Sequence, residues 1–291
     1  MRSIRFLLLG LFIFPIFAES IDGKYWGEIK DFSSGYTFEA FYSFDKNNYD
    51  LEIDLTGVDS ALSIPQQYCV KDKKKNFYFE KGEYEIKNIG KFNFILFKNT
   101  SAYNVAEKLC FLRFENHFLF LDGTKTFFQS FSNYFDPSPV YKIKNIKVSS
   151  YLREGNILYN AENFKNIQNQ LRPWVEGVDG DGVDEWLELT FDYPSDQSKK
   201  LCFLISNGYV DPKRLDLFFA NNRVKRLHVT CKELKVDHDI LLQDSPDFQH
   251  IEIPKNQSVS GPITVRFVIK ETYKGTKYED TCLNFVLPIK K

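Results

Sequence analysis

Side chains suited to binding a polar ligand are concentrated between positions 174 and 223 of this 291-residue chain. Trp174 and Glu176 precede the turn-forming residues 177–182, which predicts an aromatic ring and a carboxylate beside a tight loop. Aromatic rings stack on the apolar faces of sugars, and carboxylates and amides hydrogen-bond sugar hydroxyls. The predicted ligand-binding residues are Trp174, Glu176, Asp181, Glu185, Asn207, Tyr209, Asn222 and Arg223.

A structural role is the alternative for each of these residues. Trp174 could fill a core, and Asn207-Gly208 could form a turn held by its own backbone hydrogen bonds. Arg223 could pair with Glu176 or Glu185 inside the fold. The sequence leaves both interpretations open.

The acidic residues of the same segment suggest two further kinds of chemistry. The pattern Asp179-x-Asp181-x-x-Asp184-Glu185 suggests loop ligands of Ca²⁺, but its spacing does not match an EF-hand, and a solvated turn is the simpler interpretation. Glu176 and Glu185 could form the acid and base pair of a glycosidase. That chemistry depends on the separation of the two carboxyl groups, which sequence does not give.

Other catalytic and metal-binding signatures are absent from the sequence. It has no Gly-x-Ser-x-Gly, Walker loop, His-Glu-x-x-His or Gly-x-Gly-x-x-Gly motif. No Cys-x-x-Cys occurs, and His117, His228, His238 and His250 do not have zinc-ligand spacing. We therefore expect no catalytic residue, no metal and no cofactor.

Composition argues against a general polyanion binder and favours β-structure. The chain has 38 basic and 39 acidic residues, so its net charge of −1 offers no general attraction for nucleic acid. Aromatic residues make up 16% of the chain, with 29 Phe and 16 Tyr, and such residues suit the half-buried surfaces of strands.

The first residues have the pattern of a secretory signal. Arg2 and Arg5 precede an apolar run that ends at the small residue Ala18. The run is shorter than the roughly 20 residues that span a bilayer. The pattern predicts a signal peptide over residues 1–18, no transmembrane anchor after cleavage, and an extracytoplasmic protein that is periplasmic or secreted.

The cysteines number five, which is odd in a compartment that permits disulfides. Four of them lie within apolar runs, and buried reduced thiols are the favoured interpretation. The five are Cys69, Cys110, Cys202, Cys231 and Cys282.

Two blocks of short alternating segments are separated by Pro137 and Pro139, which favour an extended linker. Residues 19–135 predict a small antiparallel β-barrel or roll, in which residues 92–97 alternate imperfectly because their outer face is also partly covered. Residues 136–142 form the linker. Residues 143–291 predict an eight-stranded jelly-roll sandwich, with a helical pattern only at residues 160–169. The predicted fold class is all-β.

Ordered fragments of the second block resemble a known family. They are Ser149-Ser150-Tyr-Leu, Tyr159-Asn-Ala-Glu-Asn163, Trp174-Val-Glu-Gly177, Gly180-Asp-Gly182, Glu185-Trp-Leu-Glu-Leu-Thr-Phe191, Ser206-Asn-Gly-Tyr209, Asn221-Asn-Arg-Val-Lys225 and Gly275-Thr-Lys-Tyr-Glu-Asp-Thr-Cys282. Over about residues 143–291 the chain is similar to the NADase-type glycan-binding domain. The resemblance implies a discoidin-like, galactose-binding-type jelly roll of bacterial secreted proteins, and carbohydrate or a glycoconjugate as partner.

The leading function is therefore an exported, non-catalytic bacterial binding protein. Its second block would bind carbohydrate or another surface ligand, and its first block would serve as a further binding or docking module. The alternative is a secreted hydrolase or glycosidase whose catalytic site lies in the first block. A structural envelope protein without a small ligand is a third possibility.

Cleavage after Ala18 leads to a direct prediction. The native protein should begin near Glu19, because the apolar run ends at a small residue. Intact-mass measurement of protein purified from its source checks this. Retention of Met1 in a membrane fraction would contradict the export prediction.

Overall fold

A computed structural model describes residues 21–30, 37–55, 69–72, 75–98, 108–114, 117–121, 127–130, 141–165, 172–194, 200–211, 213–257 and 259–289. The predicted signal peptide and most of the predicted linker lie outside these residues. No helix in the described ranges is long and apolar enough to cross a membrane.

Strands dominate the described chain and confirm the all-β prediction. Before residue 140 they are β1 (Gly23–Lys30), β2 (Thr37–Asp45), β3 (Asn48–Asp54), β4 (Cys69–Asp72), β5 (Lys75–Ile89), β6 (Phe92–Lys98), β7 (Lys108–Phe114), β8 (His117–Leu121) and β9 (Phe127–Ser130). After it they are β10 (Ile143–Val148), β11 (Arg153–Glu154), β12 (Ile157–Leu158), β13 (Trp174–Val175), β14 (Trp186–Tyr193), β15 (Lys200–Asn207), β16 (Asn222–Cys231), β17 (Val236–Leu241), β18 (Phe248–Pro254), β19 (Gly261–Tyr273) and β20 (Thr281–Ile289). A 3-10 helix covers Ala161–Lys165, and helix α1 covers Asp216–Ala220.

The first nine strands form one sheet that closes on itself. Its order is β3-β2-β1-β9-β8-β7-β6-β5-β4, and an additional pairing of β3 with β5 completes a ring of eight antiparallel strands. Strand β4 pairs with the beginning of β5 beside that ring. Closure removes the unpaired edges of a sheet, so the first block is a closed barrel, as the alternating segments predicted.

Aromatic side chains of the first sheet pack against one another. The Tyr49 and Phe97 rings lie 4.5 Å apart, and the Tyr42 ring stacks on Phe97 at 5.6 Å. The Tyr49 hydroxyl donates a hydrogen bond to the carboxylate of Glu80, which is buried. The phenol thus satisfies a carboxylate that would otherwise be costly inside the fold.

The second block forms a sandwich in which the rings of distant strands meet. Its main sheet has the order β10-β14-β19-β16-β20-β15-β18, with β13 on β20 and β17 on β16. The Phe203 ring contacts Phe267 at 5.0 Å and Phe191 at 6.4 Å. Eight of these strands correspond to the eight predicted ones. Sequence missed β11, β12 and β13, which are two residues each and too short to show a period.

The helical prediction needs a correction. Of residues 160–169, only Ala161–Lys165 is helical in the described part, and it is a 3-10 helix. Helix α1 was missed because it has five residues, Asp216–Ala220, and no side chain caps its N-terminus. Such a short helix depends on tertiary packing for its stability, and the buried side chain of Phe218 provides that packing.

Strand β6 is buried on both faces, which explains its imperfect alternation. Phe97 contacts the aromatic cluster of the first sheet, whereas Phe92 and Phe94 belong to the same apolar core as residues of the second sheet. The Phe92 ring lies 5.5 Å from that of Phe218 in α1. Beside them, Lys91 Nζ lies 2.6 Å from a carboxylate oxygen of Asp244. The two sheets are therefore in direct contact.

The described thiols agree with the prediction of buried reduced cysteines. Cys202, Cys231 and Cys282 are buried and form no disulfide. Burial raises the pKa of the Cys231 thiol to about 12 and also raises the pKa of Cys282. The side chains of Cys69 and Cys110 lie outside the described part.

We predict that residues 140–291 fold without the first block, because most of the buried residues in the core of the second sheet come from this segment itself. The fragment should unfold cooperatively, but at a lower Tm than the full chain, since Phe218 loses its contact with Phe92. Calorimetry of both proteins measures the difference. Unfolding of the fragment without a cooperative transition would place the domain boundary elsewhere.

Candidate ligand-binding site

A cavity of about 320 Å³ lies at one end of the second sheet. Its lining residues come from loops and strand ends and include three tyrosines and three carboxylates. They are Leu152, Glu154, Tyr159, Val175, Tyr209, Asp211, Arg214, Leu217, Asn221, Tyr278 and Asp280. Small-molecule sites in proteins have volumes from about 300 Å³ upward, so the cavity is large enough for a small ligand.

Gly208 directs the chain from β15 into the cavity. It has a φ of +76°, a left-handed conformation that favours glycine. A Cβ atom there would lie 2.6 Å from Cγ of Arg223 and 2.9 Å from the Phe218 ring. Glycine at this position therefore permits both the turn and the close packing that place Tyr209 in the cavity wall.

The aromatic part of the wall is a pair of tyrosines. The Tyr159 and Tyr209 rings are 6.2 Å apart and inclined at 61°. The Tyr159 hydroxyl donates a hydrogen bond of 3.1 Å to Glu154 Oε2. Burial raises the pKa of both phenols, and the neighbouring Tyr159 adds to the increase at Tyr209. Both hydroxyls therefore stay protonated at neutral pH, and their oxygen atoms can accept hydrogen bonds.

The charged part of the wall is predominantly acidic. Burial raises the pKa of Asp280, and repulsion by Glu154 and Glu279 adds to the effect. Arg214 is the basic lining residue, and its guanidinium binds Asp216 through two hydrogen bonds of 3.0 and 2.9 Å. A ligand with hydroxyl or cationic donors would find acceptors in the carboxylates of the wall.

Tyr209 is the member of the predicted site that lines the cavity. Trp174 is only 1% exposed, and its Nε1 donates a hydrogen bond of 2.9 Å to the Ser150 carbonyl. The structure therefore does not place the Trp174 ring in the cavity wall, and its position is that of the structural alternative. The ring is buried because β13 pairs with β20, opposite Leu283.

Glu176 is also enclosed, with no exposed surface. Its carboxylate accepts hydrogen bonds of 2.9 Å from the backbone N–H groups of Thr281 and Val178. Burial nevertheless raises the pKa of Glu176. Glu185 instead accepts hydrogen bonds from the hydroxyls of Ser149 and Ser150. Both carboxylates of the suggested glycosidase pair are therefore already hydrogen-bonded within the protein.

Two aspartates of the suggested calcium loop bind lysines. Asp181 lies 2.6 Å from Lys274 Nζ, and Asp184 lies 2.6 Å from Lys270 Nζ. The hydrogen bond from Lys274 lowers the pKa of Asp181. Basic side chains thus neutralise these two carboxylates, in agreement with the simpler interpretation.

The remaining predicted residues stabilise the sheet end behind the cavity. Asn207 Nδ2 donates to the Val224 carbonyl at 2.7 Å, and its Oδ1 accepts from the Val224 N–H at 3.0 Å. Asn222 Oδ1 accepts from Gly275 N–H at 2.6 Å. Arg223 does not pair with Glu176 or Glu185, since its Nε and Nη2 donate to Asp244 at 2.9 and 3.0 Å.

Sequence reasoning missed most of the cavity wall because its residues come from separate loops. Tyr159 and Asp280 were within fragments that resemble the family, so that signal was available. Glu154, Asp211 and Arg214 have no pattern that distinguishes them from solvated loop residues. Only the fold brings these side chains around one space.

Replacing the buried ring of Trp174 should affect stability. Trp174→Ala should lower the free energy of unfolding by about 3–5 kcal/mol, because it leaves a core cavity and removes the donor to Ser150. Trp174→Phe should cost less, since most of the ring volume remains. Thermal unfolding of both variants measures this, and an unchanged Tm for Trp174→Ala would contradict the buried position.

The second block also matches a known family in its sequence. The model described as NAD glycohydrolase translocation F5/8 type C domain matches residues 139–287. No curated protein matches the chain. Among solved structures, the chain is similar to a Paenibacillus xanthan lyase, with 10% identity and a TM-score of 0.31 over 88% of this chain and 22% of that chain. The chain thus spans under a quarter of the lyase's length. Because the family model covers half of the chain, this protein belongs to the family with the NAD glycohydrolase translocation F5/8 type C domain.

Proposed function

We propose that this protein is an exported, non-catalytic binding protein whose second domain binds a carbohydrate in the cavity beside Tyr159 and Tyr209. The observation that supports this most is the composition of the cavity wall, where tyrosine rings and carboxylates surround a space of about 320 Å³. The family of the domain supports the same class of ligand. The apolar run before Ala18 supports export.

The two tyrosines suit the apolar and polar sides of a sugar ring. Each offers a ring face or edge to C–H groups and a phenol hydroxyl to polar groups. Their inclined arrangement, with ring centres 6.2 Å apart, provides two differently oriented surfaces in one wall. A pyranose presents C–H groups and hydroxyls in the same way, which favours this ligand over a purely apolar one.

The carboxylates supply the acceptors that sugar hydroxyls need. Glu154, Asp211 and Asp280 all line the cavity. Lys213 N–H donates to Asp211 Oδ1 at 2.8 Å, which orients that carboxylate at the start of the loop before α1. A carboxylate can accept several hydrogen bonds at once, so adjacent hydroxyls of one sugar can share it.

The non-catalytic role is distinguished from the hydrolase alternative by the fate of the bound glycan. Incubation of the protein with each glycan that it binds, followed by mass spectrometry of the products, should return the glycan intact. Release of shorter fragments would replace the binding role by a glycosidase role.

Tyr209→Ala should weaken glycan binding roughly 5- to 30-fold, since a stacked ring contributes about 1–2 kcal/mol. A glycan array with the mature wild-type protein selects the ligand, and titration calorimetry compares the variants. Tyr151→Ala is the matched control, because Tyr151 is 39% exposed and does not line the cavity. Equal weakening in both variants would place the site elsewhere, and no binding by wild type across a broad panel would refute carbohydrate as the ligand.

Asp280 gives the same site a pH dependence. Its raised pKa means that protonation begins at a higher pH than for an ordinary carboxyl group, and a protonated group is a poorer acceptor. Affinity should therefore increase as pH rises through the raised pKa of Asp280. Asp280→Asn should remove this increase when affinity is titrated against pH, and a dependence that persists would exclude Asp280 from ligand contact.

A further inference from the structure

Strands β15 and β18 form an antiparallel pair at the edge of the second sheet. Cys202 pairs with Glu252, and Leu204 pairs with His250. Side chains two residues apart on a strand share a face, so His250 and Glu252 extend to the same side as Cys202. Phe203 points to the opposite side, into the sandwich core. The register thus brings a thiol, an imidazole and a carboxylate together on one face.

The three side chains are close enough to share one ion. One ligand atom from each of Cys202, His250 and Glu252 lies within 4.8 Å of the others. In a tetrahedral zinc site, bonds of about 2.0–2.3 Å place ligand atoms roughly 3.5 Å apart. The strand register already fixes the three backbone positions. Side-chain rotations alone would then bring the ligand atoms from within 4.8 Å to the separation of a zinc site.

The cluster is buried at the thiol and exposed to solvent at the carboxylate. Cys202 is 3% exposed, whereas the Glu252 side chain is 26% exposed. A metal ion can therefore enter from the carboxylate side and reach a thiol that is shielded from solvent. Lys200 forms an ion pair with Glu252 Oε2. A carboxylate has two oxygens, so one can face a metal ion while the other accepts from an ammonium group.

We propose that Cys202, His250 and Glu252 form a zinc site with one sulfur, one nitrogen and one oxygen ligand and a water molecule in the fourth position. Thiolate and imidazole ligands favour Zn²⁺ over Ca²⁺ and Mg²⁺, which prefer oxygen. Binding displaces the thiol proton and joins β18 to its neighbour β15. Strand β18 also contacts β7 of the first domain, so the ion stabilises a sheet edge that lies beside the other domain.

The site is tested on tag-free, metal-free, full-length mature protein with Co²⁺ as the probe. One equivalent should bind and give the ultraviolet absorption of thiolate-to-cobalt charge transfer, which Zn²⁺ should then remove by displacement. Saturating Zn²⁺ should raise Tm by several degrees, and a chelator should reverse the increase. Absence of both the absorption and the Tm increase in wild type would overturn the proposal.

Variants assign the ligands. Cys202→Ser should lose the charge-transfer absorption, and His250→Gln and Glu252→Gln should each weaken Co²⁺ binding at least about tenfold. Cys231→Ser is the matched control, because Cys231 is a buried thiol outside the cluster, and it should retain the absorption. Retention of the absorption in Cys202→Ser would contradict the assignment.

Lys200→Gln adds a test that does not depend on losing a ligand. Removal of a positive charge beside Glu252 should strengthen Co²⁺ binding a few-fold, whereas loss of a purely structural ion pair would leave it unchanged or weaker. Either of the latter results would count against a cation at this position.

Discussion

Buried peptide groups at the end of the second sheet depend on side chains for their hydrogen bonds. The position of the cavity wall depends on these bonds. A buried N–H or C=O without a partner is costly, so such groups are almost always paired. Asn222 binds the Gly275 N–H and the Glu279 carbonyl, and so holds both ends of the loop that includes Tyr278. Glu176 binds the N–H of Thr281 immediately after that loop. These buried residues fix the backbone from which the wall of the cavity extends.

This arrangement gives a physical role to the fragments that resemble the family. Several of them supply buried hydrogen bonds and packing rather than cavity surface. Gly182 illustrates the point, since a Cβ atom there would lie 2.4 Å from Cγ of Glu176. Loop residues that face a ligand can vary as long as such a scaffold is retained. A fragment match is therefore strong evidence for the fold and weaker evidence for the individual contacts to a ligand.

The same distinction explains how much could be predicted from the sequence. Alternation predicted most strands of both sheets but missed β4, β9 and β13, which have at most four residues each. The double burial of β6 was visible because residues 92–97 alternate imperfectly. Trp174 was misplaced because an indole suits both a core and a sugar site, and only its pairing on β20 decides between them. Cys202 and His250 are 48 positions apart, so no local spacing could show that β15 and β18 bring them together.

Helix α1 contacts the first sheet and also lines the cavity. Phe218 meets Phe92 of the first domain, whereas Leu217 lines the cavity from the same helix. At Gly90, an added Cβ atom would lie 2.9 Å from the Phe219 ring, so the turn between β5 and β6 fits closely against this helix. A displacement of α1 on one side must therefore alter packing on the other. If a ligand in the cavity displaces α1, thermodynamic reciprocity requires that occupancy of the cavity and packing of the first sheet change each other's free energy by the same amount.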